Sequence, residues 1–310
     1  MYTLAGAMTV STEHYDCESC GAGLVVSDVQ RSLVCPYCAS PSVIHREPEK
    51  DRPSPDFVIP FVIEDKTASE KVKAFLRSKY FAPSSLKEAK LDNIRGIYLP
   101  GYLYTACADS DYRAEIGEEY LDEEKYQARD QNGKFVTKTR TVVRTEWYTL
   151  KGKHSMYLKD IVVSASAGLP NHELEAVEPF DLRFIRRYSP AIISGWVSEE
   201  ASLSKADSKS SAHEESMAEI GTTLNRFLPG DKHRNLSYST ELRSETVALC
   251  LLPLWVFAVR YHPKKPPLRL IVNGQTGEAG GHVPTSWVKV LILLSILIGI
   301  GLLVYLWSTQ

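Results

Sequence analysis

The feature that most limits how this chain can fold is an uninterrupted apolar run: Val290-Leu291-Ile292-Leu293-Leu294-Ser295-Ile296-Leu297-Ile298-Gly299-Ile300-Gly301-Leu302-Leu303-Val304-Tyr305-Leu306-Trp307. It carries no charge, and only Ser295, Gly299 and Gly301 break the succession of large apolar side chains. At ~1.5 Å of helical rise per residue the run spans roughly 27 Å, close to the thickness of a bilayer core. Trp287 stands before it, and Tyr305 and Trp307 close it, where interfacial aromatics sit. A helix on a water-soluble core keeps a polar stripe, and this run has none. The reading is therefore one membrane-spanning helix over residues 286–307. Lys289 marks the near flank as the cytoplasmic one. Ser295 and Gly299, four residues apart, leave a notch on one face through which two copies could pair into a homo-oligomer.

The remainder has the composition of an ordinary folded body. With 310 residues, a prior of ~150 per domain leaves room for two domains besides the span. A net charge of −2 and a pI near 6.5 lack the basic excess of a polyanion binder. Charged residues at 24% and aromatics at 10% exclude global disorder. The opening MYTLAGAMTV shows neither a positive n-region nor a sustained apolar h-region, so no secretory signal is expected. The expected placement is a single-pass, tail-anchored protein of the cytoplasmic (inner) membrane, its N-terminal body in the cytoplasm.

Four of the six cysteines form two pairs, Cys17-Glu18-Ser19-Cys20 and Cys35-Pro36-Tyr37-Cys38, with fourteen residues between them. In a reducing compartment this spacing reads as metal binding and not as disulfides. Each pair suits a tight knuckle, and Gly21 fits the turn that closes the first. Leu24-Val25-Val26 and Ser32-Leu33-Val34 are expected as short strands that bring the knuckles face to face. Four thiolates then close a tetrahedral site around one structural Zn²⁺, with no position left for a substrate water. Rubredoxin-type iron and a dithiol redox pair use similar residues and stay open as alternatives. His14 and His45 flank the site but are redundant beside four thiolates. The acids Glu13, Asp16, Glu18 and Asp28 outnumber Arg31, which favours a protein partner over nucleic acid. The ribbon is assigned to residues 11–46. Residues 47–56, EPEKDRPSPD, read as an extended linker that leaves the ribbon free to reorient. Cys107 and Cys250 stand alone among small or apolar neighbours and are expected as buried structural thiols.

Residues 57–285 read as an α+β body. Phe57 to Ile63 is a strand-like entry. Thr67-Ala68-Ser69-Glu70 reads as a capping box, opening an amphipathic helix with Ala68, Val72, Phe75, Leu76 and Tyr80 toward the core. Lys71, Lys73, Arg77 and Lys79 lie mostly elsewhere, on a solvated face that could also touch acidic lipid. Ile97 to Tyr104 with Tyr112 to Ile116, and Leu251 to Val259 with Leu268 to Val272, are two strand-turn-strand segments sharing Leu-Pro-x-aromatic. A helix candidate precedes each, Thr67 to Tyr80 and Ser211 to Phe227. This suggests a duplicated helix-plus-antiparallel-sheet unit, 57–200 and 201–285, reminiscent of cystatin-like folds. Between them the acids Glu118, Glu119, Asp122, Glu123 and Glu124 lead through Asn132-Gly133 to Phe135–Trp147, which carries Lys138, Arg140 and Arg144. That is a solvated hairpin whose opposite charges pair across its strands.

Common catalytic signatures are missing. There is no phosphate loop, no H-E-x-x-H and no G-x-S-x-G elbow, and Ser164 and Ser166 have no nominated base. No enzymatic activity is expected.

Taken in order, the two knuckles, Phe81-Ala82-Pro83, Tyr98-Leu99-Pro100-Gly101-Tyr102, Val162-Val163-Ser164-Ala165-Ser166 and Leu174 to Leu182 (LEAVEPFDL) form a pattern. Ser194-Gly195-Trp196, Leu252-Pro253-Leu254-Trp255, Val272-Asn273-Gly274-Gln275-Thr276-Gly277 and the apolar run complete it. It resembles the bacterial TFIIB-type zinc-ribbon membrane proteins, whose members often carry the name primosomal protein N′ (replication factor Y), superfamily II helicase. That name requires the phosphate loop this sequence lacks. Gly101 departs from the pattern, which more often has a packing residue there. The resemblance implies a membrane-organising or stress role beside band-7 (SPFH) proteins. The expected function is a non-enzymatic, membrane-anchored adaptor. A nucleic-acid-binding ribbon and a thiol-redox protein using the CxxC pairs are the alternatives.

Overall fold

The computed structural model describes residues 12–27, 34–41, 43–47, 53–91, 94–129, 134–262 and 267–308. In chain order its elements are β1 (Thr12–Cys17), β2 (Gly23–Ser27), β3 (Val43–Arg46), β4 (Phe57–Val58), α1 (Asp65–Ser78), α2 (Ser84–Lys87), β5 (Ile94–Arg129) and β6 (Phe135–Ser164). They continue as α3 (Asn171–Glu175), β7 (Arg186–Arg187), β8 (Val197–Glu199), α4 (Lys205–Phe227), β9 (Lys232–Val259), β10 (Leu268–Asn273), β11 (Ala279–Gly280) and α5 (Trp287–Ser308). The architecture is mixed α and β around a large sheet, with one C-terminal apolar helix. Two compact units divide it: one holds the described residues up to 103, 162–209 and from 247 onward, the other 104–161 and 210–246. Each unit draws chain from both sides of residue 200, so the units do not follow a division into 57–200 and 201–285.

In the first unit every position of β9 from 249 to 259 is buried. A strand covered on both faces carries an unbroken apolar run, which is why this stretch shows no alternation. On one face Trp255, Phe257 and Val259, with Leu270 and Val272 of β10, pack on Ala68, Val72 and Leu76 of α1 and Leu86 of α2. On the other, Cys250, Leu252, Leu254 and Val256 share a core with Ile97, Leu99, Leu174 and Phe180. Gly101 lies against this layer, where a Cβ would stand 2.7 Å from the Leu252 side chain. That contact accounts for the glycine at this position.

The same core takes in Cys17, Ala22, Leu24, Val26 and Tyr37. The ribbon is thus built into the first unit and is not the reorientable module expected from its linker. The join is β8, which runs parallel to β5 (Ile97↔Val197) and antiparallel to β2 (Leu24↔Glu199). Within the ribbon β1 pairs with β2 and β3. The strand expected at Ser32–Val34 is not formed at Val34, and its first two residues lie outside the described ones. Much of the expected linker, and the Asn132-Gly133 turn, lie outside them too.

α1 starts two residues before the expected capping box. Glu64 takes the N-cap position without a side-chain cap, and the helix opens at Asp65, so Thr67 falls inside the first turn. The helix ends at Ser78, which leaves Tyr80 exposed where a core position was expected.

An aromatic cluster and a polar latch account for several of the short motifs. Phe61 stacks on Trp196 at 4.1 Å and meets Trp255 and Tyr98 edge-on at 5.1 and 5.2 Å. Gly274 makes room for it, since a Cβ there would lie 2.5 Å from the Phe61 ring. Gln275 binds the Asp181 backbone twice, accepting from its N–H at 2.8 Å and donating to its carbonyl at 2.9 Å. Asn273 Nδ2 donates to Val177 O at 3.0 Å, while its Oδ1 accepts from the amides of Gln275 and Thr276.

In the second unit α4 buries Ala212, Ser216, Ile220 and Leu224, every fourth residue. Tyr238 Oη donates to Met217 O at 3.2 Å, which seats the helix on β9. The alternate positions of β5 face water and carry cross-strand ion pairs such as Arg234–Glu115 at 2.7 Å. Cys107 is on this exposed face, contrary to its expected burial, whereas Cys250 is buried as expected. Farther along, Arg140–Glu124 at 2.6 Å and Arg144–Asp122 at 2.7 Å are the opposite-charge pairs expected of the hairpin.

Candidate metal centre and membrane helix

The two knuckles repeat one backbone pattern. At the first, Cys17 N donates to Ala22 O at 3.0 Å and Gly21 N to Cys17 O at 2.8 Å. At the second, Cys35 N donates to Ser40 O and Ala39 N to Cys35 O, each at 2.9 Å. Both turns close through a left-handed residue, Gly21 (φ 76°) and Ala39 (φ 56°). Glycine adopts this conformation freely, whereas alanine is strained in it.

These turns bring the sulfurs of Cys17, Cys20, Cys35 and Cys38 within 4.8 Å of one another. Cys17 and Cys38 stand 3.6 Å apart, Cys20 and Cys35 3.5 Å. Sulfurs held ~2.3 Å from one tetrahedral ion lie about 3.8 Å apart, so the cluster fits a four-coordinate metal. It does not fit a disulfide, whose sulfurs touch at ~2.05 Å. A hydrogen bond from the Cys35 thiol pulls Cys20 down to about 5, and the same bond pushes Cys35 up. Burial, chiefly, raises Cys38 to about 11. The protein surroundings alone therefore keep Cys35 and Cys38 protonated, and a bound cation would displace those protons.

The flanking histidines take no part. His14 Nδ1 lies 2.8 Å from Glu200, and His45 Nε2 lies 2.7 Å from Glu13. The ligand cluster consists of the four sulfurs.

The sequence reading missed what holds the site in place. Tyr37, between the last two cysteines, is 2% exposed and donates its hydroxyl to Glu199 of β8. Ser166 Oγ donates to the other Glu199 oxygen at 2.6 Å and accepts from the amides of Gly168 and Leu169, each at 2.9 Å. Burial, the dominant effect, raises the Glu199 carboxyl to about 7 against these hydrogen bonds. The Arg269 guanidinium lies 5.7 Å from the Tyr37 ring centroid and donates to Gly168 O and, at 2.6 Å, to Glu173. At Gly168 a Cβ would stand 2.8 Å from that of Ala22, so the SASAG stretch closes directly over the ribbon. Ser164 Oγ donates to Leu169 O at 2.6 Å, so both serine hydroxyls are engaged in this turn. The crowded glycine was the available signal, but nothing in the pattern paired it with a residue so distant in sequence.

All of Val290–Trp307 falls within α5, whose 22 residues include no buried side chain. The helix is long and apolar enough to cross a membrane. Ser295 Oγ is satisfied within it, donating to Leu291 O at 2.9 Å.

No family model matches the chain, and no solved structure matches it. Among curated proteins it is similar to an uncharacterised protein of Bacillus subtilis (strain 168), YdjG. The two are 23% identical over 246 residues, covering 76% of this chain and 66% of that protein. The chain thus spans just under two thirds of the length of the curated relative it matches.

Proposed function

We propose that the protein is a non-enzymatic, membrane-anchored adaptor or scaffold whose four cysteines hold one structural zinc ion. The observation that carries this reading is one chain holding both a four-sulfur cluster and an apolar helix with no buried side chain. Zinc favours tetrahedral four-thiolate sites, and such a site has no open position for a reacting water. Cys17 and Cys35 are each 1% exposed, which argues against thiol exchange, because that reaction needs a path to the sulfur. On this reading the helix anchors the chain in the cytoplasmic membrane, and cysteines spaced for a metal and not for disulfides support a body on the cytoplasmic side. Resemblance to TFIIB-type zinc-ribbon membrane proteins supports a band-7 (SPFH) type partner. The acid-rich ribbon argues against nucleic acid.

Two measurements test this. Elemental analysis of the full chain purified from membranes should return one zinc per chain; iron, or rapid iodoacetamide labelling of all four cysteines, overturns the metal assignment. Affinity purification in mild detergent should return a stable protein partner; recovery of none overturns the adaptor role.

A further inference from the structure

We propose that the corner between α1 and α2 rests on the surface of the membrane that α5 enters and binds the phosphate of an anionic phospholipid headgroup. This rests on reading α5 as a membrane anchor. The corner is tied to the base of that helix. Ser286 N donates to Phe81 O at 2.7 Å, and Lys289 Nζ donates to Ala82 O at 2.6 Å and Tyr80 O at 3.4 Å. The helix cannot enter a bilayer without bringing residues 80–82 to its boundary. Tyr80 and Phe81 are 69% and 36% exposed there, and Trp287, the first residue of α5, is 74% exposed. Large aromatics left in contact with solvent at this level match the amphipathic belt of a membrane interface.

Beside them, between α1 and α2, lies a cleft of 560 Å³ lined by Lys73, Arg77, Lys87 and Lys90 against a single carboxylate, Glu88. Lys87 Nζ donates to Arg77 O at 3.3 Å, which holds it across the cleft. On the second unit, surface cations such as Arg140, Arg144 and Arg234 have carboxylate partners. Among the described residues, these four have none. A phosphodiester at the membrane boundary supplies the charge and the acceptor oxygens they lack, as basic pockets at that depth do.

The test uses the full chain in neutral maltoside micelles, with bound phosphatidylglycerol or phosphatidylcholine counted by native mass spectrometry. Phosphatidylglycerol should be retained at least ~tenfold more tightly than phosphatidylcholine, and Arg77→Gln/Lys87→Gln should weaken it by about fivefold for each charge removed. Lys73→Gln/Lys90→Gln should act alike, which guards against a folding defect in one pair. Equal retention of the two lipids, or retention unchanged in both double variants, overturns the proposal. Displacement of the lipid by millimolar inorganic phosphate would reassign the cleft to a free anion and also overturn it. Flotation with phosphatidylcholine vesicles reads the anchor separately. A chain that floats but does not discriminate between lipids refutes the headgroup site alone; one that fails to float refutes the anchor reading beneath it.

Discussion

Replacing Tyr37 by phenylalanine tests whether the hydroxyl between Cys35 and Cys38 fixes the ribbon to the body. The ring, 2% exposed, keeps its packing, so only the hydrogen bond to Glu199 is lost. A buried bond to a charged acceptor is worth ~1.5–3 kcal/mol, and one to a neutral acceptor about 1 kcal/mol. Which value applies depends on Glu199, raised by burial from 4.5 to about 7. A carboxyl raised in the folded state contributes stability that is complete below about 4.5 and is lost as pH climbs through about 7. The Tyr37 bond limits that rise, so removing it sends the carboxyl higher, and the variant goes on losing stability above neutral pH. At ~2–4 °C per kcal/mol, metal-saturated Tyr37→Phe should melt about 2–4 °C below wild type at about pH 5.5 and about 3–12 °C below at about pH 8.5. Intrinsic fluorescence melts of the full chain in neutral micelles measure both gaps. A gap that does not widen with pH would falsify the linkage argument, and no gap at either pH would remove Tyr37 as the fastening.

Ala39→Gly, at φ 56°, should stabilise the loaded protein by about 0.5–1 kcal/mol, read as a raised melting temperature, whereas a lowered one would contradict the strain assigned to that turn. Gln275→Ala strips both hydrogen bonds from the Asp181 backbone and should cost ~2–4 kcal/mol in the same melts, with metal content unchanged. Removing the metal with a chelator at neutral pH should be accompanied by proton uptake, because Cys35 and Cys38 are both held protonated without a cation. Chelation that leaves the pH of a weakly buffered sample unchanged would argue against thiolate ligation.

Features coded locally were legible in the sequence. The four cysteines come together because each knuckle closes within a few residues, and α5 needs only its own length and composition. The long strands were harder to read. The portion of β9 from Leu236 to Arg243 alternates half-buried and exposed, mostly polar residues, so it carries little of the apolar signal that marked Leu251–Val259. Cys107 was misplaced because small neighbours suggest burial, while its position on the alternation of β5 turns it to water. The attachment of the ribbon was illegible for another reason. It depends on Leu24 meeting Glu199 and on Tyr37 reaching the same carboxylate, pairings that no local pattern encodes.

The core shared by the ribbon and β9 also sets an order of events during synthesis. The knuckles close on contacts within residues 17–40, so they can capture a metal while the chain is still emerging from the ribosome. Leu24 and Tyr37 meet Glu199, and Tyr37 meets Gly168, only after those distant residues have been made, and the shared core closes once Leu252, Leu254 and Val256 follow. Until then a loaded ribbon presents its apolar face unburied. Long-range closure of this kind is slow and exposes the nascent protein to aggregation. Early capture of a metal would protect the four thiols from oxidation during that interval, so metal supply during translation should govern the yield of soluble intermediate as well as the stability of the finished protein.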